Sequence, residues 1–241
     1  MVEAMTPLPP VRRIVAFIIV VVAVAAVVLG ITIHTVAQGL QRVILPVPYV
    51  SQVPDGVWVS PWDEACEEAS LLMVQGFYAG ATTIGREGAK AEMRKMFAWE
   101  QERWKDVEDA DAERILVLGD AFSVGSRVVR DPSAGEIVAE LRAGHPVIAV
   151  VDMYALWGER PAGDGYHVVV VTGHDADKGE FQVMDPAKDD IRWYAASRLM
   201  ASLHDYDFKT KEATGPATVL FTFDKGDPAS IWRRIRRFFL A

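Results

Sequence analysis

Hydrophobic residues follow three patterns along the chain, and each pattern predicts a different kind of structure. From residue 14 to residue 33, twenty residues follow one another without a charge, IVAFIIVVVAVAAVVLGITI. As an α-helix this run would be about 30 Å long, the thickness of the hydrocarbon core of a bilayer. It therefore predicts one transmembrane helix.

The charges around this run predict its orientation. Arg12 and Arg13 precede it, and the next positive charge is Arg42. Because positive charges favour the cytoplasmic side, residues 1–13 are expected in the cytoplasm and the rest of the protein outside a single-pass cell-membrane anchor. Cleavage of a signal peptide after Ala37 is the alternative, although signal h-regions span only about 7–15 residues.

The second pattern is a helical spacing of apolar residues, which begins after a short stalk over residues 34–45. Ser133 and Glu136 have the spacing of a capping box, which predicts the start of one helix. The predicted helices cover residues 63–78, 85–104, 111–122 and 133–141.

The third pattern consists of short β-branched runs bounded by Gly, Pro and Asp, which predict strands. The predicted strands cover residues 146–152, 166–173, 180–185, 191–194 and 217–223. Because the helices come first and the strands cluster late, the expected fold class is α+β. The folded domain is expected to span residues 46–225 and to be followed by a basic tail over 226–241.

The tail, IWRRIRRFFLA, combines four arginines with bulky apolar residues. One interpretation is a short amphipathic helix that contacts lipid head groups near the anchor. The other is a terminal helix whose apolar side packs on the domain.

Composition limits the partners and the chemistry. The net charge of −8 makes nucleic acid and anionic membrane poor partners for the domain. The single cysteine excludes an intramolecular disulfide. Neither a zinc-ligand spacing nor a Gly-rich phosphate loop occurs, so no metal and no cofactor are expected. The sequence does not predict the oligomeric state.

The single cysteine, Cys66, lies in the segment WDEACEEASLLMV. We expect it in the first turn of the 63–78 helix, which is either capped by Asp63 or started by Ser60-Pro61. There the helix dipole and free backbone N–H groups would stabilise a thiolate, and a buried structural thiol is the alternative. Glu67 and Glu68 are expected to point away from the cleft, roughly 100° and 200° around the helix from Cys66.

A nucleophilic cysteine needs a base, usually a histidine, that a third group orients. His167 begins the apolar run YHVVVV, and Asp185 ends the run EFQVMD. If these two strands pair, the carboxylate can reach the imidazole. His174 with Asp175 is the rival pair.

Taken together, these segments resemble the papain-like cysteine peptidases, in particular the family thirty-nine-like group related to double-glycine leader peptidases. The resemblance covers roughly residues 46–223. The matching segments are VPYVSQVPDGVW (47–58), ACEEASLLMV (65–74), ELRAGHPVIAVVD (140–152), GYHVVVVTGHD (165–175) and FQVMDP (181–186).

The resemblance implies a papain-like fold, with the Cys-bearing helix in an N-terminal helical part and an antiparallel sheet after it. It implies Cys66 as nucleophile, His167 as general base and acid, and Asp185 as the orienting residue. Gln52 matches the glutamine of the oxyanion hole, which would act with the Cys66 backbone N–H. Glu67-Glu68 stands where leader peptidases usually carry Gly-Pro or Gly-Ala.

The leading hypothesis is therefore a membrane-anchored, extracytoplasmic cysteine peptidase that hydrolyses a peptide or protein substrate through an acyl-enzyme. A non-catalytic binding module of the same fold and an acyl transferase of the cell envelope are the alternatives. The segment over residues 153–165, MYALWGERPAGDG, is interpreted either as a loop that lines the cleft or as a plain β-connection.

Overall fold

The computed structural model describes residues 15, 18–25, 27–29, 41–107, 109–158, 165–188 and 190–225. The chain divides into two compact units, Met1–Arg42 and Val43–Ala241. The predicted cytoplasmic segment and the tail over 226–241 lie outside the described residues, as does most of the stalk.

The predicted membrane helix over 14–33 is described only in part. Residues 15, 18–25 and 27–29 are helical and their side chains are exposed. No helix among the described residues combines the length and the apolar character needed to cross a bilayer.

Among the described residues of the second unit, the first four helices agree with the helical pattern of the sequence, and the last two, which are short, have no counterpart in the prediction. Their bounds are α1 (Cys66–Tyr78), α2 (Arg86–Arg103), α3 (Ala112–Ala121), α4 (Ala134–Arg142), α5 (Met153–Trp157) and α6 (Ala196–Ser202). The side chain of Ser133 caps α4 by accepting from the N–H of Glu136, and the Glu136 carboxylate accepts from the N–H of Ser133, so the predicted capping box is confirmed.

The start of α1 differs from the prediction. A separate 3-10 helix covers Trp62–Glu64, and α1 begins only at Cys66. Ala65 is the N-cap residue and no side chain caps the helix, so neither predicted start signal is used. The break places Cys66 at the first position of α1, where its backbone N–H has no partner within the helix.

Seven strands form one sheet within the described part of the chain, in the order β2-β7-β3-β4-β5-β6, with β1 pairing β4. Their bounds are β1 (Arg42–Ile44), β2 (Val124–Arg130), β3 (Val147–Asp152), β4 (Tyr166–Asp175), β5 (Glu180–Asp185), β6 (Asp190–Ala195) and β7 (Thr218–Asp224). The pairs from β2 to β6 along this order are antiparallel, which confirms the α+β class with an antiparallel sheet.

Two strands and a helix lack the patterns that the prediction required. The strand β2 pairs only with β7 on the path of the sheet, and five of its seven residues are not fully buried. An edge strand of this kind shows no run of apolar residues, and β1 has only three residues. The short helix α6 has two buried residues, too few to produce a clear periodicity.

The core lies between the central strands and α1. All nine residues from Cys66 to Val74 are buried, so α1 has no solvent face over its first two and a half turns. Ser70 Oγ donates to the backbone oxygen of Val168 at 3.2 Å, which fixes α1 on β4. The first turns of α1 therefore lie against the beginning of β4.

Candidate active site

The thiol of Cys66 is buried, with 4% of the residue exposed. It donates to Glu67 Oε2 at 3.1 Å, and within the described residues it makes no hydrogen bond to an imidazole. Burial raises the pKa of Cys66 well above its usual value, and the negative charge of Glu67 raises it further. In this arrangement Cys66 is a neutral thiol at pH 7, despite its position at a helix N-terminus.

The carboxylates that follow Cys66 are buried, and Glu67 contacts the thiol, which corrects the expectation that Glu67 points away from the cleft. Glu67 and Glu68 are each 2% exposed. The expectation considered only the angle around the helix axis. Because the first turns of α1 are buried on every side, a side chain is buried there whatever its angle. Glu67 turns back to the thiol, and its other oxygen accepts from the backbone N–H of Ala110 at 2.9 Å.

Glu68 faces a second buried carboxyl group, Glu100 of α2. The two side chains share a hydrogen bond, so one of them holds a proton. Burial, together with the proximity of the partner, raises the pKa of Glu68 well above its usual value. Burial likewise raises the pKa of Glu100 to about 7.

His167 and Asp185 are joined as the sequence predicted. β4 and β5 pair antiparallel, and His167 Nε2 lies 2.7 Å from Asp185 Oδ1. Both side chains are buried, at 3% and 1% residue exposure. Because an ionised carboxylate only accepts, the hydrogen of the imidazole is on Nε2 and Nδ1 keeps its lone pair.

Asp185 is held by further donors. Its Oδ1 accepts from the backbone N–H of Ala187 and its Oδ2 from Trp157 Nε1, both at 2.9 Å. Burial alone would raise the pKa of Asp185, but His167 and these donors outweigh it and hold that pKa below its usual value. The carboxylate is therefore ionised at neutral pH.

Trp157 closes one side of this pair. Its ring meets the His167 ring edge-on, with centroids 5.9 Å apart, and Lys188 Nζ lies 3.7 Å from its centroid. Trp157 is the last residue of α5, which Asp152 caps by accepting from the N–H groups of Tyr154 and Ala155. This favours the cleft-lining interpretation for the start of the 153–165 segment; residues 159–164 lie outside the described residues.

A glycine is required immediately before β4. Gly165 has a φ of +72°, and a Cβ there would lie 2.7 Å from Asp152 Oδ1. Its carbonyl accepts from the N–H of Met153 at 2.6 Å. This turn therefore keeps α5, with Trp157, close to the strand that carries His167.

Gln52 connects the turn after β5 with the 3-10 helix before Cys66. Its backbone N–H donates to Pro186 O at 3.0 Å, and its Nε2 donates to Asp63 O at 3.0 Å. The side chain is buried, and Oε1 has no hydrogen-bond partner. The amide therefore lies beside the segment that leads into α1.

The other described histidines are held elsewhere. His174 lies seven residues further along β4, roughly 23 Å from His167 at the usual rise of a strand, and stacks on Phe181. Its neighbour Asp175 accepts from two N–H groups of the following turn. His145 bonds to Glu140, and His204 Nδ1 lies 3.2 Å from a backbone oxygen. His34 lies outside the described residues.

Two contacts place the start of β4 next to the nucleophile helix. Tyr166 Oη lies 2.8 Å from Glu67 Oε1, and Val168 O accepts from Ser70. The residues on both sides of His167 are thus bound to the first two turns of α1. Sequence reasoning did not single out Trp157 or Tyr166, although the aromatic segment before His167 pointed to the first.

No group of three or more His, Cys, Asp or Glu side chains suited to hold a metal ion occurs among the described residues. The side chains of Cys66, Glu67, His167 and Asp185 are instead hydrogen-bonded to other groups of the protein. The chemistry that the geometry supports is proton transfer by an oriented imidazole on a strand that lies against the helix of the thiol.

Comparison with known proteins gives one family match. The sequence model described as the Peptidase_C39 like family matches residues 44–210, a range that includes Gln52, Cys66, His167 and Asp185. A crystal structure described as a C39-like peptidase from Bacillus anthracis aligns over 75% of this chain and 96% of its own, at 16% identity and a TM-score of 0.49. No curated protein matches the sequence.

Proposed function

Since the chain belongs to the Peptidase_C39 like family, we propose that it is a cysteine peptidase in which Cys66, His167 and Asp185 act together. The observation that carries the proposal is the buried His167–Asp185 pair at 2.7 Å, whose histidine is on β4, the strand that lies against the start of α1. An oriented imidazole next to a helix-terminal cysteine is the arrangement that nucleophilic catalysis requires.

His167 is the general base. Because Asp185 binds Nε2, the lone pair on Nδ1 is available for the thiol proton. Asp185 fixes the tautomer and stabilises the imidazolium that forms. Trp157 donates to Asp185 and covers the imidazole, which keeps both groups in place and limits their contact with water.

Cys66 attacks the carbonyl carbon of a peptide bond while its proton passes to His167 Nδ1. The sulfur–carbon bond forms, and the imidazolium then gives the proton to the leaving amine as the carbon–nitrogen bond breaks. Water, deprotonated by His167, hydrolyses the thioester and restores the thiol. Because burial raises the pKa of Cys66, the proton is transferred during attack and not before substrate binds.

Gln52 and the backbone N–H of Cys66 would hold the oxyanion. The N–H of Cys66 is at the first position of α1, where it has no acceptor within the helix. Gln52 Nε2 donates to Asp63 O at 3.0 Å and to Trp62 O at 3.4 Å, and the hydrogen of the longer bond is the proposed oxyanion donor, which would leave Trp62 O when a substrate binds. Such donors stabilise the charge that develops on the carbonyl oxygen.

A cleavage profile on a peptide library tests this function. We expect the full chain to cleave a subset of peptides and Cys66→Ala and His167→Ala to lose at least about a thousandfold in rate. His145→Ala, which changes a histidine that bonds to Glu140, is the matched control and should keep its activity. Equal cleavage by wild type and Cys66→Ala, or no cleavage by any of them, would contradict the proposal.

We further propose that residues 14–33 anchor the protein in the cell membrane, with the peptidase domain on the extracytoplasmic side. The uncharged run and the two preceding arginines support this orientation. Protease treatment of intact cells tests it, since an extracytoplasmic domain is degraded without lysis. A domain that is protected until the cells are lysed contradicts it.

A further inference from the structure

The hydrogen bond between Cys66 and Glu67 has a consequence for the nucleophile. Glu67 is buried at 2% exposure, and its two oxygens have different partners. Oε1 lies 2.9 Å from the N–H of Ala110 and 2.8 Å from the hydroxyl of Tyr166, whereas Oε2 accepts from Cys66 Sγ at 3.1 Å. The carboxylate is thus fixed from three sides.

This arrangement determines where the thiol proton lies. A carboxylate oxygen accepts hydrogen bonds, so the sulfur must keep its hydrogen to satisfy Oε2. The N–H of Ala110 donates to Oε1, and the one hydrogen of the Tyr166 hydroxyl lies between Oε1 and Ala110 O, which are 2.8 and 2.5 Å away. Burial raises the pKa of Glu67, but Oε2 accepts the thiol hydrogen whether or not Oε1 carries a proton, and any negative charge on Glu67 disfavours a thiolate 3.1 Å away. A sulfur bound in this way is a hydrogen-bond donor and a poor nucleophile.

We propose that Glu67 is a positioning residue that latches Cys66 as a neutral thiol in the free enzyme and that releases the sulfur when a substrate binds. The proposal rests on the proposed function, because it takes Cys66 as the nucleophile. Attack requires the Sγ–Glu67 hydrogen bond to break and the thiol to turn towards the imidazole of His167.

The groups around the thiol favour the latched state. The charged groups that act on Cys66 are acidic and come from two places: Glu67 and Glu68 on α1, and Asp109 before α3. From β4, Tyr166 faces Glu67 and His167 supplies the proposed base. Glu100 of α2 faces Glu68 and interacts electrostatically with Glu67. Protonation of Glu68 or Glu100 reduces this negative field but leaves the Cys66–Glu67 bond in place.

The rate of alkylation by iodoacetamide between pH 5 and pH 10 tests the latch. Cys66 is the only cysteine, so a thiol reagent reports on this residue alone. In Glu67→Gln the amide oxygen can keep the hydrogen bonds with the Ala110 N–H and the Tyr166 hydroxyl. The NH₂ group then donates to the sulfur and favours the thiolate. We expect alkylation at pH 7 to be at least about tenfold faster than in wild type, with the midpoint of the profile at least about one pH unit lower.

Glu68→Gln is the matched control, since Glu68 is the next residue of α1 and is equally buried but does not bond to the thiol. Its midpoint should stay within about 0.3 pH units of wild type, a shift much smaller than that expected of the latch. If Glu67→Gln is alkylated faster but the midpoint of its pH profile is unchanged, the substitution has only improved access of the reagent, and the proposal is overturned. If Glu67→Gln is alkylated more slowly than wild type, Glu67 acts as a base for the thiol, and the proposal is overturned as well.

Wild type alone provides a second measurement in case Glu67→Gln does not fold, which its thermal unfolding curve would reveal. The latch requires an alkylation midpoint above that of free cysteine, about 8.5. A midpoint below that value overturns the latch. Because alkylation needs no peptide cleavage, a protein that cleaves no peptide refutes the peptidase, whereas a cleaving enzyme with unchanged profiles refutes only the latch.

Discussion

His167 and Asp185 form a buried pair, with 2.7 Å between Nε2 and Oδ1, and Trp157 and Ala187 bind the same carboxylate. Eighteen residues separate the pair in sequence, and the antiparallel pairing of β4 and β5 brings it together. Both side chains are buried, and Asp185 is an ionised carboxylate. A substitution that removes this carboxylate should therefore affect both catalysis and stability.

Asp185→Asn should lower kcat for peptide cleavage by about a hundredfold or more. The amide no longer stabilises an imidazolium, and its NH₂ group can turn the imidazole to the wrong tautomer. Steady-state kinetics on the best peptide of the library measure the effect. Asp177→Asn, on an exposed turn residue, is the control and should match wild type. Unchanged kcat in Asp185→Asn would refute the orienting role.

The same substitution should change the acid stability. The pKa of Asp185 is lower in the folded protein, so its contribution is complete above the unfolded pKa, about 3.9, and is lost as the pH falls through the folded pKa. The difference in unfolding free energy between wild type and Asp185→Asn should therefore shrink below about pH 4. Urea unfolding at pH 3 to 6 measures it, and a constant difference would contradict the low pKa.

Glu100→Gln should stabilise the protein above neutral pH. The pKa of Glu100 is raised to about 7, so wild type loses stability as the pH rises from the unfolded pKa, about 4.3, to about 7. The loss is up to about 4 kcal/mol, and a neutral amide at this position avoids it. Urea unfolding at pH 5 and pH 8 measures the change, with exposed Glu102→Gln of α2 as the control. If the unfolding free energies of wild type, Glu100→Gln and Glu102→Gln depend equally on pH, the pKa of Glu100 is not raised.

Trp157→Phe should lower kcat by about five- to tenfold with little change in KM. The ring is kept in part, but the hydrogen bond from Nε1 to Asp185 Oδ2 is lost, and one such bond to a charged group contributes about 1.5 kcal/mol. Trp58→Phe, at a tryptophan that is 53% exposed, should behave as wild type. An effect on KM alone would show that Trp157 contacts substrate and does not position Asp185.

Gln52→Ala should lower kcat about a hundredfold, because one oxyanion donor typically contributes two to three orders of magnitude. The amide also holds Asp63 O, so the melting temperature must be recorded with the kinetics. Gln101→Ala, at an exposed position of α2, is the control. A lower melting temperature with unchanged kcat would assign Gln52 a structural role only.

The sequence was a good guide to the site wherever a residue lies at the end of a regular element. His167 opens an apolar run and Asp185 closes the next one, so their juxtaposition followed once the two strands paired. The predicted helices also end within a few residues of α1 to α4. Such features depend on local periodicity, which a sequence displays directly.

The sequence was a poor guide to the neighbours of the thiol. The angle of Glu67 around α1 was known, but nothing in WDEACEEASLLMV indicates that Ala110 and Tyr166 cover that side of the helix. The positive end of a helix dipole predicted a stabilised thiolate, and burial beside a carboxylate decided the opposite. The field of one helix terminus is outweighed by desolvation and by a charge in contact.

By itself, then, the sequence determined the α+β order of elements, the capping box at Ser133 and the succession of Cys66, His167 and Asp185, because periodicity and residue type are local properties. Tertiary structure alone decided that Trp157 binds Asp185, that Glu68 meets Glu100 and that the thiol bonds to Glu67. Those relationships depend on which surfaces of distant segments are buried against each other, and burial sets the protonation state on which the chemistry of Cys66 depends.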